Sequence, residues 1–160
     1  MQRRLEEIYR DHRQGLFTLA LSITRSTDLA EDAVQDAFAR LWRHDGEPKG
    51  DEIAYVFAAV RNAALEQARR RRHAVQVPAS LFDTRCGGPE ADSICEERRR
   101  VVCEAVEALP IRQRQAVVLR VYAGLTFHQI AVVLGERLPT VASRYRRALA
   151  RIKQQLERRL

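Results

Sequence analysis

Apolar residues recur at steps of three and four along most of this chain, and that spacing places them on one face of an α-helix. No stretch alternates apolar and polar residues in the way that a half-buried strand does. The pattern therefore predicts an all-α protein. The predicted helices cover residues 2–24, 29–43, 52–72, 93–109, 111–123, 126–135 and 139–158.

Side chains that commonly cap helix N-termini precede several of these segments. Asp and Thr accept hydrogen bonds from the free main-chain N–H groups of the first turn, and a Glu or Gln three residues later completes a capping box. Such residues indicate where helices begin. The predicted caps are Asp28 with Glu31, Asp51, Ser93 with Glu96, and Thr126 with Gln129.

The helical pattern stops at two places. The segment HDGEPKGDE, residues 44–52, contains two glycines and a proline, a composition typical of a loop. Periodicity is lost again from residue 74 to about residue 91, over a stretch with two glycines and two prolines, which predicts a flexible linker. The chain is therefore predicted to form two small helical domains, residues 1–73 and 93–160, joined by a linker over residues 74–92.

The charge distribution points to a polyanionic partner. The chain has 28 Lys and Arg against 21 Asp and Glu, a net charge of +7 and a pI near 10.0. The excess lies in two blocks, residues 61–73 and 110–160, while the rest of the chain is neutral or acidic. Two basic blocks predict two separate contacts with an anion. Nucleic acid is the first candidate and an anionic membrane surface the second.

Membrane-spanning, secreted and disulfide-bonded classes find little support in the sequence. No apolar run approaches the roughly 18 residues that span a bilayer, and MQRRLEEIYR lacks the apolar centre of a signal peptide. Cys86, Cys95 and Cys103 are odd in number and include no C-x-x-C pair, which argues against a disulfide framework or a zinc site. Reduced thiols in a cytoplasmic protein are the simplest interpretation, and no cofactor is implied.

The C-terminal block has the spacing of a helix-turn-helix. A short helix over residues 126–135, a tight turn and a longer basic helix follow one another. Polar and basic residues share one face of the second helix, where arginine can grip guanine or a phosphate with two hydrogen bonds. A solvated basic helix without a partner is the alternative. The polar face comprises Thr140, Ser143, Arg144 and Arg147, and the expected seam between the helices comprises Ile130, Ala131, Leu134, Val141 and Leu149.

The predicted third helix carries the other basic block. Arg61 and Asn62 precede a run of four arginines, residues 69–72, near the C-terminus of the helix. Such a run can simply favour the negative end of the helix dipole, or it can bind phosphate. The presence of a second basic block further along the chain favours phosphate binding.

The stretch AEDAVQDAFARLW, residues 30–42, sets an acidic face against this basic background. On a helix its polar side chains line up on one side at steps of three and four, and its apolar residues point the other way. For an isolated helix, a solvated face is the simplest interpretation. DNA would repel such a face, so beside two basic blocks it predicts a basic protein surface as its partner. The polar set is Asp32, Gln35, Asp36 and Arg40.

These segments, in this order, resemble the extracytoplasmic-function sigma factors of bacterial RNA polymerase. AEDAVQDAFARLW is similar to the family's core-binding segment, and AYVFAAVRNAALEQARRRR resembles the helix that engages the −10 promoter element. LPIRQRQAVVLRVYAGLTFHQIAVVLG followed by TVASRYRRALARI resembles the domain that reads the −35 element. The resemblance covers nearly the whole chain. It implies a non-enzymatic protein of two helical domains that binds core polymerase, directs it to a promoter class and helps to open the DNA.

The resemblance also implies roles for individual residues. The outer face of the second helix would contact the clamp helices of the polymerase beta-prime subunit, and the loop of residues 45–51 would receive a base flipped out of the −10 element. The beta flap and an anti-sigma factor would be further partners of a chain that is monomeric when free. The matched residues are, for polymerase, Asp32, Gln35, Asp36 and Arg40; for the −10 element, Asp45, Lys49, Tyr55, Arg61, Asn62, Arg69 and Arg70; and for the −35 element, Arg120, Thr126, Arg137, Thr140, Ser143, Arg144 and Arg147.

Several positions depart from the family pattern. The family usually has Trp where Tyr55 stands and Asp where Glu66 stands, and both changes are mild. The turn of the helix-turn-helix, usually an Ile-Pro-Val-Gly-like run, here reads Glu-Arg-Leu-Pro over residues 136–139. Ala142 stands where a basic residue is common. These changes bear on the docking of the recognition helix and on the promoter bases rather than on the class of function.

Two other functions are compatible with the residues alone. A stand-alone helix-turn-helix regulator would bind DNA without polymerase, but such proteins usually dimerise on palindromic half-sites, and this chain offers no evident dimer seam. An enzyme would need a site, and the nearest candidate is a metal held by Glu31, Asp32 and Asp36. Glu31 points away from Asp36 by helical angle and no histidine joins them, which argues against that site.

Overall fold

The structure of the chain is a computed structural model that describes residues 2–44, 48–71 and 93–159. Within those ranges every regular element is helical, as the hydrophobic spacing predicts. The predicted linker lies outside the described residues. The helices are α1 (Gln2–Thr24), α2 (Thr27–Arg43), α3 (Glu52–Arg70), α4 (Ser93–Glu107), α5 (Ile111–Val117), which continues into a π-helical turn (Val118–Tyr122), α6 (Phe127–Leu134) and α7 (Leu138–Arg159).

The first three helices pack on one another around a shared apolar core, and each of them contacts the other two. Leu16 and Leu19 of α1 and Phe57 of α3 are fully buried. Burying a side chain of that size contributes roughly 1.5–3 kcal/mol. The apolar side of α2 faces this core, which leaves its polar side exposed. The buried residues of α2 are Leu29, Ala30, Ala33, Val34, Ala37, Phe38 and Leu41.

The start of α2 differs from the prediction. Ser26, and not Asp28, is the N-cap, since its side-chain oxygen accepts a hydrogen bond from Leu29 N at 3.4 Å. The helix begins at the next residue, so Asp28 lies in the first turn, where its carboxylate favours the positive end of the helix dipole. The capping box of Asp28 with Glu31 is therefore wrong. Arg25 explains the shift, because its left-handed φ of 53° ends α1 abruptly and places the next residue in the capping position.

The caps predicted at Asp51 and at Thr126 with Gln129 are confirmed, and Ser93 is the first residue of α4. Asp51 Oδ1 accepts a hydrogen bond from Ala54 N at 2.9 Å and so caps α3. Thr126 and Gln129 form a full capping box at the start of α6, with Gln129 N donating to Thr126 Oγ1 at 3.2 Å and Thr126 N donating to Gln129 Oε1 at 2.9 Å. Gly135 ends α6 with a left-handed φ of 65°, a conformation that glycine adopts without a steric penalty.

The helices of the C-terminal half pack around α7, which contacts α4, α5 and α6. Val141 and Ala148 are the buried residues of α7. Leu149, an expected seam residue, is 42% exposed, so that assignment is wrong. Ala148 follows Val141 by two helical turns and therefore falls on the same side of α7, whereas Leu149 is rotated by a further 100° or so.

The single helix predicted over residues 111–123 is divided in the structure. α5 is followed by the π-helical turn, in which Ala123 N donates to Val118 O at 3.1 Å. Val117, Val118 and Leu119 are all buried, because α7 lies against α5 and α1 lies against the π-helical turn. π-Helical turns of this kind occur mostly as single insertions within α-helices.

The two halves share a face in the described residues. α6 lies against α3, and α5 with its π-helical turn lies against α1. The halves approach closely at Gly15, where a Cβ atom would lie 2.9 Å from the Ala123 Cα, too near for any larger residue. Gln129 Nε2 also donates to Asp51 Oδ2 at 2.9 Å, so one side-chain amide joins the N-termini of α6 and α3.

A buried arginine crosses this shared face. Arg114 is 6% exposed; its NH1 donates to Ser22 O and its NH2 donates to Leu109 O, both at 2.9 Å. Burial and, second, the nearby charge of Arg25 lower the pKa of Arg114 to about 10. Arg25 NH2 in turn donates to Glu107 O at 3.1 Å. Two arginines therefore join the end of α1 to the connection between α4 and α5.

Candidate functional site

The outer face of α2 carries the polar residues that its spacing predicts. Asp32, Gln35 and Arg40 are exposed, and Asp36 is half-buried. Gln35 also lines a groove of about 360 Å³ between α1 and α2. Tyr9 and Phe17 line the same groove from α1, so the acidic face borders a partly aromatic depression.

A chain of ion pairs connects this face to α3. Arg40 NH2 lies 2.8 Å from Asp36 Oδ2 and 3.2 Å from Glu66 Oε2, and Glu66 Oε1 accepts a hydrogen bond from Arg70 NH2 at 2.6 Å. Exposed pairs of this kind contribute at most about 1 kcal/mol each. Their effect here is to offset the charge of Asp36, so Asp32 presents the least compensated negative charge among the four predicted residues.

Three of the residues matched to the −10 element share one exposed face of α3. Tyr55, Asn62 and Arg69 are seven residues apart, which is two helical turns, and all three are exposed. Lys49 is exposed in the loop that precedes the helix. Asp45 lies outside the described residues.

Arg61, from the same predicted set, points in another direction. Its Nε donates to Gln115 Oε1 of α5 at 2.9 Å, and the side chain is half-buried between the two halves. Burial and, second, the charge of Arg112 lower the pKa of Arg61, while the charge of Glu136 opposes that shift. The structure therefore separates Arg61 from the exposed face formed by Tyr55 and Asn62.

The basic face of α7 is only partly free in the structure. Thr140 and Arg147 are exposed and Ser143 is half-buried, at steps of three and four along the helix. Arg144 is different, because its NH1 contacts both carboxylate oxygens of Glu136. The residues that reach solvent freely on this face are therefore fewer than the sequence pattern indicates.

The remaining residues matched to the −35 element lie around the start of α6 and the turn. Arg120 is exposed, but its NH1 donates to Leu125 O at 2.9 Å and its guanidinium lies 5.1 Å from the centre of the Phe127 ring. Thr126 is the exposed cap of α6, and Arg137 is exposed in the turn before α7. Arg120 therefore shapes the connection to α6 as well as offering a charge.

Sequence patterns do not reveal the partners of Arg61 and Arg144. Gln115 is buried within α5, where hydrophobic spacing alone gives no reason to expect a polar contact with α3. Glu136 offers a better signal, since it is the only carboxylate between Glu107 and Glu157 in a strongly basic part of the sequence. An isolated acid among many arginines indicates an ion pair, although it does not say with which one.

Metal, membrane and thiol chemistry receive no support from the described ranges. Among residues 2–44, 48–71 and 93–159, no group of three His, Cys, Asp or Glu side chains is placed to hold a metal ion. No helix within those ranges has the length and apolar character needed to cross a bilayer. Cys95 is exposed and Cys103 is buried, and Cys86 lies outside the described residues.

Two family models match the chain, in the order of its two halves. Residues 8–74 match sigma-70 region 2, and residues 99–152 match sigma-70 region 4. The first match contains the acidic face of α2 and the basic helix α3. The second contains the helix-turn-helix formed by α6 and α7. Together the two models cover most of the chain.

Curated relatives align over nearly the full length. The chain is 29% identical over 159 residues to the ECF RNA polymerase sigma factor SigK of Mycobacterium tuberculosis (strain H37Rv), across 94% of this chain and 84% of that protein. It is 28% identical over 155 residues to the protein of the same name from Mycobacterium sp. (strain KMS), across 91% of this chain and 79% of the relative.

Solved structures agree in fold. The sigma factor RpoE of Bartonella quintana, in complex with the anti-sigma factor NepR, superposes with a TM-score of 0.73 at 22% identity, over 98% of this chain and 96% of its own. CnrH, in complex with the cytosolic domain of CnrY, superposes with a TM-score of 0.70 at 23% identity, over 98% of this chain and 90% of its own. At that identity the likeness concerns the fold.

Proposed function

The chain belongs to the sigma-70 family of RNA polymerase subunits, in its extracytoplasmic-function group, and from that premise we propose how its surfaces share the work of promoter recognition. As a sigma factor, it binds core RNA polymerase, directs it to specific promoters and assists the melting of DNA. It is a transcription initiation factor and not an enzyme. The surfaces are assigned to polymerase or to DNA by their charge, because α2 has an acidic face and α3 and α7 have basic faces.

We propose that the outer face of α2 docks on the clamp helices of the polymerase beta-prime subunit. An acidic face is repelled by DNA and attracted by a basic protein surface, so it suits the protein partner rather than the promoter. The groove beside Gln35 adds aromatic side chains that could take an apolar residue of that partner. The contact residues are Asp32, Gln35, Asp36 and Arg40, with the ion pair of Asp36 and Arg40 opening to accept the new partner.

We propose that the exposed face of α3 holds the melted −10 element. Unstacking a base step costs a few kcal/mol, and a protein can offset that cost by taking up an extruded base and by stacking and charge contacts along the single strand. Tyr55 offers a ring at this face, and Asn62 offers hydrogen bonds. Lys49, Arg69 and Arg70 offer charge for the strand, and the loop of residues 45–51 is the proposed receiver of the base.

Arg61 is proposed to join the −10 contact only when the two halves move apart. In the structure its guanidinium is held by Gln115 of α5. When two weakly binding domains are joined by a linker, binding of one raises the effective concentration of the other at its own site. Polymerase would fix the distance between the two domains. Residues 1–73, 74–92 and 93–160 are the proposed domain, linker and domain of that arrangement.

We propose that α7 enters the major groove at the −35 element, with Thr140, Ser143 and Arg147 on the face that meets DNA. Arg120, the N-terminus of α6 at Thr126, and Arg137 lie around this face and suit phosphate contacts. The position of Arg144 on the same helix is constrained by Glu136.

Further partners follow from the same function. The C-terminal half is proposed to contact the beta flap, and the chain to be monomeric when free. One structural neighbour, the sigma factor RpoE, was solved with the anti-sigma factor NepR, and a partner of that class is proposed for this chain. With promoter DNA and polymerase as its partners, the protein is proposed to work in the cytoplasm.

Reversal of one charge on the acidic face of α2 tests whether that face binds core polymerase. Asp36→Lys places a cation where a basic partner is expected, so binding to core polymerase and run-off transcription should both fall to background. The matched control is Asp11→Lys, an exposed acid of α1 outside the proposed contact. Helical content and melting temperature should match the wild type in both variants.

The outcome is decided by a pull-down with core polymerase together with a reconstituted transcription assay. Unchanged polymerase binding by Asp36→Lys contradicts the docking face on α2. Tight, specific binding of duplex DNA by a dimer of the free chain, without polymerase, would instead favour a stand-alone regulator.

A further inference from the structure

Glu136 is an isolated carboxylate in the turn between α6 and α7. It immediately follows Gly135, the left-handed residue that ends α6, and it precedes α7 by two residues. Its side chain is 14% exposed, so it lies mostly out of solvent. The turn therefore directs this acid inward, against the helices that it joins.

Arginines from two elements meet this carboxylate. Arg144 of α7 contacts both oxygens through NH1, and its own side chain is only 21% exposed. Arg112 of α5 donates from NH1 to Oε1 at 3.0 Å, but it is 67% exposed. Charge-assisted hydrogen bonds from a guanidinium to a carboxylate are among the stronger polar contacts in proteins, particularly where water is partly excluded. The pair of Glu136 and Arg144 is therefore the more firmly held.

The pair fixes the guanidinium of Arg144 relative to the face that meets DNA. Arg144 lies one position beyond Ser143 and three positions before Arg147 on the basic side of α7. Without Glu136, its long side chain could swing to a phosphate. A phosphate contact carries no sequence information, and it is made most readily where no base contact already fixes the position of the helix on the DNA.

We propose that Glu136 is a positioning residue for −35 recognition, which keeps the charge of Arg144 off the DNA backbone and leaves reading to the exposed residues of α7. This inference rests on the proposed function and assigns Arg144 a supporting rather than a reading role within it. Thr140 and Arg147, which are exposed and lie two helical turns apart, then carry discrimination at this face. The turn residue thereby contributes specificity by restraining a neighbour.

Removal of the negative charge gives a distinctive result. In Glu136→Gln the shape of the side chain is kept, but Arg144 is released. Binding to any duplex should strengthen at low salt, and the slope of log K against log salt should steepen by about one unit for the added phosphate contact. Discrimination between the preferred and a scrambled −35 sequence should fall by about threefold to tenfold, because base contacts fix the position of α7 on the preferred duplex and limit the added phosphate contact there, whereas a scrambled duplex gains that contact in full.

The experiment uses holoenzyme reconstituted from the full chain and core RNA polymerase. Duplexes with a randomised −35 segment are first selected with the wild type, and the most enriched duplex and a scrambled version become the two probes. Their affinities are then measured at a series of salt concentrations. Two controls change charge without releasing Arg144. Glu157→Gln removes an exposed acid paired with Lys153 near the end of α7, and Arg112→Gln removes the other partner of Glu136.

A double variant identifies the residue through which Glu136 acts. If the added contact comes from Arg144, Glu136→Gln should have no effect on the salt slope in an Arg144→Gln background. Arg144→Gln alone should select the same sequence as the wild type. Relaxation of one base position in that selection would mean that Arg144 reads a base, and it would overturn the inference even if Glu136→Gln failed to fold.

Failure of this inference differs from failure of the proposed function. A wild-type holoenzyme that selects a sequence, together with a Glu136→Gln variant that has the same slope and discrimination, overturns only the role of Glu136. An equal steepening in the presence and absence of Arg144 does the same. A wild-type holoenzyme that enriches no sequence overturns the proposed function itself, and the inference with it.

Discussion

The position of each arginine, rather than the total number, decides what its charge does in this protein. Arg147 is exposed on α7, whereas Arg61 and Arg144 are held by Gln115 and Glu136. Arg114 is buried and donates from NH1 and NH2 to main-chain carbonyls. The arginines thus divide into exposed residues, proposed to face DNA, and residues that make contacts within the protein.

Substitution of Arg114 tests how much such internal contacts contribute to stability. Arg114→Met keeps much of the side-chain length but leaves Ser22 O and Leu109 O without their donor, and unpaired buried acceptors cost about 1–3 kcal/mol each. We expect the free energy of unfolding to fall by about 2–4 kcal/mol, because the cost of the two unpaired acceptors exceeds the gain from removing a buried cation.

Urea denaturation of the free chain measures this loss, with Arg151→Met of the exposed side of α7 as the control. A surface substitution of that kind should change stability by no more than about 0.5 kcal/mol. Equal stability of the two variants would show that the carbonyl contacts of Arg114 contribute nothing.

The direction in which a side chain points could be predicted from the sequence only where it depends on the face of a helix. Spacing alone predicts that Asp32, Gln35, Thr140 and Arg147 point outward, because the core must take the apolar side, and the structure agrees. The partners of Arg61 and Arg144 depend on where a second segment lies. A long, flexible side chain reaches several such segments, so its choice among them follows from tertiary packing.

The first residue of a helix depends both on the capping side chains nearby and on the turn by which the chain enters the helix. Ser26 caps α2 although Asp28 has an equally suitable side chain, because the left-handed Arg25 ends α1 just before Ser26. The sequence shows both candidate caps, but it does not show the geometry of the turn between α1 and α2. Where no such competition exists, at Asp51 and at Thr126 with Gln129, the predicted caps are confirmed.

Substitution of the two candidate caps separates them. Ser26→Ala removes the hydrogen bond to Leu29 N and should lower the free energy of unfolding by about 1 kcal/mol. Asp28→Ala loses only a favourable charge in the first turn, worth roughly 0.3–1 kcal/mol at low salt and less when screened. Thermal melts at low and high salt provide the comparison. A greater, salt-independent loss for Asp28→Ala would restore Asp28 as the cap.

At the scale of the whole molecule, the two halves lie against each other in the described residues. The sequence predicts two helical domains because the apolar spacing stops between them, and the helical content agrees. It does not predict their shared face, since that face consists of short stretches of α1, α3, α5 and α6 that are distant in sequence. Gly15 makes the contact sterically feasible, and glycine within a helix is otherwise unfavourable by about 1 kcal/mol.

A larger residue at position 15 should push the halves apart. In Gly15→Leu the new Cβ would meet the backbone of Ala123, which cannot move aside as a flexible side chain could. Each half retains its own helix contacts, so we expect a folded chain with a larger radius of gyration by small-angle scattering. Asp11→Leu, on the exposed side of α1, should leave the radius unchanged. An unchanged radius and stability in Gly15→Leu would contradict the close contact.

The link between Gln129 and Asp51 makes the arrangement of the halves observable without any attached chemical probe. Gln129 uses its carbonyl oxygen within the start of α6 and its amino group across to the start of α3. Its two side-chain amide protons therefore experience a carboxylate when the halves are together and water when they are apart. In a nitrogen-15 spectrum, the signals of that NH₂ group would change when the halves separate during polymerase binding, and no residue of the protein would have to be replaced.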